Sequence, residues 1–379
     1  MFVRRRFLSF SALGMGALLV APRMALATVA TERRFVFIIQ RGAADGLSIV
    51  APYADPAYAR LRGALALDAG TAIKLDGAFA LHPSLGGVAQ MYGRKQALFV
   101  HAVASPYRER SHFDGQNVLE TGGAEPYRIK DGWLNRLVAM LPRAGDEAIA
   151  LAPTVPMALR GPAQVTSYAP AALPAPSDDL LLRAGELYAA DPQLHSLWSE
   201  ALEAKALAQG ADTTRDPASL GKLAASFLTK PGGPRIAMLE TGGWDTHSGQ
   251  EQRLAAHLKA LDSLLVALRD GLGEAWGQTT VLIATEFGRT AAVNGTGGTD
   301  HGTGSVAMLV GGAVRGGRVI ADWPGLTPAA LYEGRDLKPT ASLDSLIAGV
   351  AGESLGLDSE HVARVLFGAT RPMSGLVAA

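Results

Sequence analysis

"RIAMLETGGWDTHSGQEQRLAAHLKALDSLLVALRDGLGEAWGQTTVLIATEFGRT", Arg235 to Thr290, holds two short apolar runs on either side of a long amphipathic stretch. The runs are "RIAMLE" (Arg235–Glu240) and "TTVLIAT" (Thr279–Thr285). Between them Leu254, Leu258, Leu261, Leu265, Leu268 and Leu272 step by four and three, while Arg253, Lys259 and Arg269 fall elsewhere. That period predicts a helix over Gln250–Leu272 with one apolar stripe. Strand, helix, strand is the right-handed crossover of a doubly wound sheet. Each run is followed by glycine, an acid and a histidine or arginine, a pattern that gathers titratable groups at strand ends.

Four further runs repeat the strand signal: "RFVFIIQ" (Arg34–Gln40), "ALFVHAV" (Ala97–Val103), "AIALA" (Ala148–Ala152) and "VAMLVGG" (Val306–Gly312). Runs apolar on both faces read as buried strands. The expected class is α/β, a mostly parallel doubly wound sheet with helices on both faces. "PAALPAPSDD" (Pro170–Asp179) is a Pro/Ala-rich excursion that leads into a helical pattern, so a helical cap insertion is expected over about 170–230. The tail "SLDSLIAGVAGESLGLDSEHVARVLFG" reads as two amphipathic helices closing a single domain over residues 28–379.

The first 27 residues read as a leader. "RRRFLS" (Arg4–Ser9) fits a twin-arginine signal, and "ALA" (Ala25–Ala27) offers a small-x-small cleavage site. The expected location is therefore periplasmic or otherwise extracytoplasmic, with no transmembrane anchor once the leader is removed. With no cysteine, disulfides, thiolate metal sites and cysteine nucleophiles are excluded. A formal net charge of zero without a basic stripe argues against nucleic acid as a partner.

In open α/β sheets ligands bind beyond the carboxyl ends of the strands. After the first run "RGAADGLS" places Asp45 in a glycine-flanked turn. After the second, "SPYRERSHFDGQNVLETGG" carries Arg110, Ser111 and His112 at a helix start. "TGGWDTHSGQ" carries Asp245 and His247, "EFGRT" carries Glu286 and Arg289, and "GTDHG" puts Asp300 and His301 before the sixth run. Each has a plainer reading. Asp245 and His247 could cap the following helix, and Ser111 could be an N-cap with Asp114 in a capping box. His82, His101, His195, His257 and His361 are read as structural. Convergence favours a metal site formed by Asp45, Asp245, His247, Glu286, Asp300 and His301. Mixed oxygen and nitrogen donors suit zinc, manganese or iron(II) better than calcium.

The order of these motifs resembles the alkaline phosphatase/sulfatase-like superfamily, and within it the exported bacterial family DUF1501. The resemblance rests on "RGAADGLS", "SHFDGQNVLETGG", "GGWDTH", "TEFGRT" and "GTDHG" and covers nearly the whole chain after the leader. It implies one or two divalent ions, zinc or manganese foremost. Asp45 matches the first-strand ligand, Ser111 the nucleophile region, Asp245 and His247 an Asp/His pair, Glu286 the late acid and His301 the distal histidine. His112 stands at the position expected for the nucleophile, and Phe287 stands where the superfamily has a histidine. Arg110 and Arg289 would clamp the remaining oxygens of an anionic ester. The implied activity is hydrolysis of phosphate or sulfate esters, with Ser111 and His112 catalytic. The alternative is a non-catalytic exported binding or assembly protein on the same scaffold, partnered by another exported protein encoded nearby.

Overall fold

The computed structural model describes residues 32–378 except residue 69, residues 143–146 and most of 170–215. The expected leader and the greater part of the expected insertion lie outside the described residues. No helix among the described residues is long and apolar enough to cross a membrane.

Strand β1 (Arg34–Gln40) leads into a short helix, α1 (Gly46–Ile49). Strands β2 (Val50–Ala51), β3 (Ile73–Lys74) and β4 (Ala80–Leu81) form a small side sheet in the order β2-β4-β3, with helix α2 (Tyr58–Arg62) in between. Next come α3 (Gly86–Gly93), β5 (Ala97–Ala104), α4 (His112–Thr121), α5 (Trp133–Val138), β6 (Ala148–Ala150) and β7 (Thr166–Ser167). The second half supplies α6 (Pro217–Thr229), β8 (Ile236–Thr241), α7 (Gln250–Leu272), β9 (Thr279–Ala284), β10 (Ser305–Val310) and β11 (Arg318–Ile320). The chain closes with β12 (Ala341–Ser342), α8 (Leu343–Leu355) and α9 (Ser359–Phe367). Among the described residues the main sheet has nine strands in the order β11-β5-β10-β9-β1-β8-β6-β7, with β12 also paired to β5.

β1 sits between β8 and β9 and is parallel to both. The β8-α7-β9 crossover therefore passes over β1 instead of joining immediate neighbours. Because side chains alternate along a strand, Val36 and Ile38 enter one core, with residues of α3, α6 and α7. Phe35, Phe37 and Ile39 enter the other, with α5, α8 and α9. Phe37 meets the Trp133 ring edge-on at 4.9 Å. Both faces are covered by helices, which is why the strand runs are apolar throughout.

The leucine stripe on α7 is buried along its whole length. Its main partner is α6, whose Leu223, Ala224, Phe227 and Leu228 belong to the same core. Residues 217–229 of the expected insertion form α6, which packs against α7. An apolar stripe of this length has to be buried in a core, and α6 together with the sheet residues covers it.

One strand, β10, runs antiparallel to both of its neighbours, β5 and β9. This reversal matters for the site. Residues that precede β10 emerge at the same sheet edge as residues that follow β1, β5, β8 and β9.

Candidate metal centre

Five loops meet at that edge, and glycines let their backbones touch. Gly42, at φ +117°, leaves room for the backbone of Asp245, whose N atom lies 2.6 Å from where a Cβ would sit. At Gly298 the equivalent contact is the His247 carbonyl carbon at 2.3 Å. The glycine loop also caps α7. Gly249 and Gln250 donate their N–H groups to Thr296 and Gly297 carbonyls at 3.2 and 3.0 Å. No side chain caps that helix, so Asp245 and His247 are released from the capping role.

Three imidazoles converge here, each oriented from behind. His112 Nδ1 lies 2.8 Å from Glu286 Oε1. His247 Nδ1 lies 2.9 Å from Asp300 Oδ1, and His301 Nδ1 lies 2.9 Å from the Arg110 carbonyl. Carboxylates and carbonyls only accept, so every Nδ1 carries its proton and every neutral ring presents a bare Nε2. Those Nε2 atoms point together. His247 Nε2 is 3.0 Å from His301 Nε2 and 3.0 Å from Asp245 Oδ1. His301 Nε2 is 3.3 Å from the same oxygen, and His112 Nε2 is 3.5 Å from Asp245 Oδ2. His112 Nε2 is buried and has no hydrogen-bond partner. One potential ligand atom from each of His112, Asp245 and His301 lies within 4.8 Å of the others.

Lone pairs held this close repel unless a proton or a cation lies among them. Histidines tied through Nδ1 to a carboxylate or carbonyl are the arrangement that presents Nε2 to a metal. Imidazole nitrogens from His112 and His301 with a carboxylate from Asp245, and His247 Nε2 beside them, are donors of the kind that suit zinc and related transition ions. Charge agrees with that. With the imidazoles neutral, the carboxylates of Asp245, Glu286 and Asp300 against the Arg289 guanidinium leave two negative charges, the balance for one divalent cation.

Local electrostatics follow from the same contacts. The hydrogen bond that His112 donates to Glu286 raises the His112 pKa above its ordinary value, against the opposing effect of burial. Burial alone would push Glu286 up, but His112, Gln116 and the Gly42 N–H hold it below the usual glutamate range. Asp245 is likewise raised by partial burial and lowered further by Arg289, with a net shift downward. Hydrogen bonds from His247 and Asn294 lower Asp300. His301 is lowered by burial and by the neighbouring His112. Phe287 stacks on His112 at 5.0 Å and lies 5.4 Å from His301, so it fixes both rings.

The structure places the expected residues as follows. Glu286 and Asp300 each face an imidazole Nδ1, and His112, expected as catalytic, lies with Asp245 and His301 in the candidate cluster. Asp45 is outside it. Its buried carboxylate caps α1 through the Leu47 N–H and accepts from Ser48, Arg62 and Gln250. Neither expected clamp is free. Arg289 is buried, bonded to Asp245 at 2.5 Å and to Thr299. Arg110 is engaged by Asp336 at 2.9 Å and by Glu333. Ser111 does occupy the N-cap of α4, but its side chain makes no capping bond, so the capping box with Asp114 does not form.

Several supports were not foreseen. Gln116 donates to Glu286 at 3.2 Å and accepts from Arg41 at 2.9 Å. It lies four residues after His112, the helical spacing that puts both on one face. Thr299 and Gln250 join Arg289 to Asp45 through buried hydrogen bonds.

The chain is similar to several solved structures. One is the C-terminal periplasmic domain of EcEptC from Escherichia coli in complex with zinc, at 9% identity, covering 74% of this chain and 73% of that one, TM-score 0.38. A putative sulfatase from Bacteroides thetaiotaomicron matches at 8% identity over 91% and 76%, TM-score 0.39. The phosphonate monoester hydrolase of Agrobacterium radiobacter matches at 12% over 90% and 78%, TM-score 0.38. Among curated proteins no relative matches. A model of the family described as protein of unknown function (DUF1501) matches residues 32–366, and the chain belongs to that family.

Proposed function

We propose that the protein is an extracytoplasmic, metal-dependent hydrolase of phosphate or sulfate esters, holding one divalent ion through His112, His247, His301 and Asp245. The observation that carries the reading is the set of bare imidazole nitrogens facing one another and a carboxylate. A divalent ion there supplies Lewis acidity toward the ester group. Ser111 neighbours His112 at the start of α4, whose first-turn N–H groups no side chain caps; a helix N-terminus of this kind favours an anion. Arg289 holds Asp245 in place instead of clamping substrate. The twin-arginine leader read in the sequence supports the location.

The engagement of Arg110 and Arg289 by protein carboxylates favours a second reading, a metal-binding protein without turnover. One experiment decides between them. The leaderless chain, loaded with zinc or manganese, is assayed on a panel of phosphate and sulfate monoesters and diesters. Turnover that disappears with Asp245→Asn and on chelation supports the hydrolase. Metal binding without turnover on any member supports the second reading. Ser111→Ala separates the routes: loss of turnover at unchanged metal content assigns the serine a covalent role, and full activity removes it.

A further inference from the structure

The turn at residues 332–336 grips His301 from two directions. Tyr332 and Asp336 exchange backbone hydrogen bonds at 2.9 and 3.0 Å, and the Ala291 N–H donates to the Arg335 carbonyl at 3.0 Å, which fixes the turn to the loop after β9. From this turn Arg335 Nη2 donates to the His301 carbonyl at 2.6 Å. The second hold runs through Arg110. Asp336 is fully buried, and its Oδ2 accepts from Arg110 Nε at 2.9 Å and lies 2.8 Å from Arg110 Nη2. Glu333 pairs with the same Nη2, and the Tyr332 ring lies 5.9 Å from the guanidinium carbon. Arg110 in turn accepts His301 Nδ1–H on its backbone carbonyl at 2.9 Å.

Arg110 has φ +61°, a left-handed conformation that residues with a side chain disfavour. Such a conformation persists only where the surroundings over-determine it. A buried carboxylate has to keep its counter-charge, so Asp336 holds the guanidinium, and the guanidinium holds the backbone.

We infer that Arg110 and Asp336 are positioning residues for the metal centre: their ion pair keeps the Arg110 backbone left-handed, so that its carbonyl fixes the His301 ring with Nδ1 protonated and Nε2 bare. The inference rests on the metal-site reading for what Nε2 then binds. A carbonyl oxygen only accepts, so the other neutral tautomer would set the Nδ1 lone pair against it. If Arg110 relaxes to a right-handed conformation, the carbonyl leaves His301 and both tautomers are open to the ring.

The test has two readouts. Histidine ¹⁵N NMR on the zinc-free protein near pH 8, where neutral rings dominate, reads the tautomer, with His301 assigned by its absence in His301→Gln. Competition with a chromophoric chelator reads zinc affinity. The wild type is expected to show a single Nδ1–H form at His301. Arg110→Ala is expected to give both forms and to bind zinc about 5- to 30-fold more weakly, the scale set by a left-handed residue that carries a side chain. Arg110→Gly is expected to return to within about threefold of wild type, because glycine adopts positive φ freely; a side chain needed only for packing would be missed at least as much in glycine as in alanine. Arg335→Ala, at a side chain 43% exposed, removes the other hold without opening the core and is expected to weaken zinc binding by about 2- to 10-fold. A single Nδ1–H form with unchanged zinc affinity in Arg110→Ala, or equal losses in Arg110→Ala and Arg110→Gly, overturns the assignment and leaves the metal centre standing. The expected tautomer pattern in a wild type that binds no zinc keeps the positioning role and removes the metal-site reading.

Discussion

Glu286→Gln separates metal binding from folding at a single atom. The carboxylate is fully buried, and Oε1 accepts from the Gly42 N–H at 2.9 Å, His112 Nδ1 at 2.8 Å and Gln116 Nε2 at 3.2 Å. Oε2 faces the Thr285 hydroxyl at 3.0 Å. A glutamine in the same rotamer keeps its oxygen at the Oε1 position. Its NH₂ meets Thr285 Oγ1, whose proton can go to the Gln40 carbonyl at 2.7 Å. The hydrogen-bond count survives and the negative charge is lost. Without it the His112 ring is a weaker base, and loss of such a supporting partner lowers metal affinity by about 10- to 100-fold, roughly 1.4–2.8 kcal/mol of binding free energy. Stability of the zinc-free protein is expected to change by less than about 1.5 kcal/mol, the scale of a single neutral hydrogen bond. Zinc affinity is read by competition with a chromophoric chelator near neutral pH, and stability by thermal melting of the zinc-free chain. Unchanged affinity at unchanged stability would show that Glu286 does not act through His112.

Asp45→Asn makes the opposite separation. It leaves the fully buried Arg62 guanidinium without its counter-charge, so denaturant unfolding is expected to show a loss of about 3–5 kcal/mol while zinc affinity stays within about twofold; loss of zinc at unchanged stability would return Asp45 to the ligand set. His101 predicts acid sensitivity. It is fully buried, Nδ1 accepts the Ala102 N–H, Nε2–H donates to the Val50 carbonyl at 2.8 Å, and burial lowers its pKa to about 4. With the folded value below the ordinary 6.5, its contribution is intact above pH 6.5 and is lost as pH falls toward 4, about 3 kcal/mol in all. Relative to His101→Gln, the wild type is expected to lose that amount between pH 7 and pH 4, and parallel stability curves would contradict it.

The fold was legible because its signals are periodic and local. The leucines of α7 step at helical spacing and the helix spans Gln250–Leu272 as expected. The six apolar runs became β1, β5, β6, β8, β9 and β10 with ends shifted by at most two residues. The direction of β10 was not legible, since an apolar run carries no sign of which way it lies in a sheet. For the site, residue types were readable and layers were not. Glu286 and Asp300 look like ligands in a string of letters, and only the ring nitrogen facing each of them shows that they orient an imidazole. Asp45 sits in a glycine turn like any metal-binding aspartate. Its capture by Arg62 depends on α2 folding back over α1, which no local pattern announces.

The proposed metal centre requires three imidazoles to share one cation. Zinc K-edge X-ray absorption on the protein loaded with one equivalent of zinc tests this most directly. The predicted spectrum shows about three imidazole nitrogens and one oxygen at about 2.0–2.2 Å, and His112→Ala removes one imidazole from the fit. A zinc shell of oxygen alone, or one with a single imidazole that His112→Ala leaves unchanged, would contradict it.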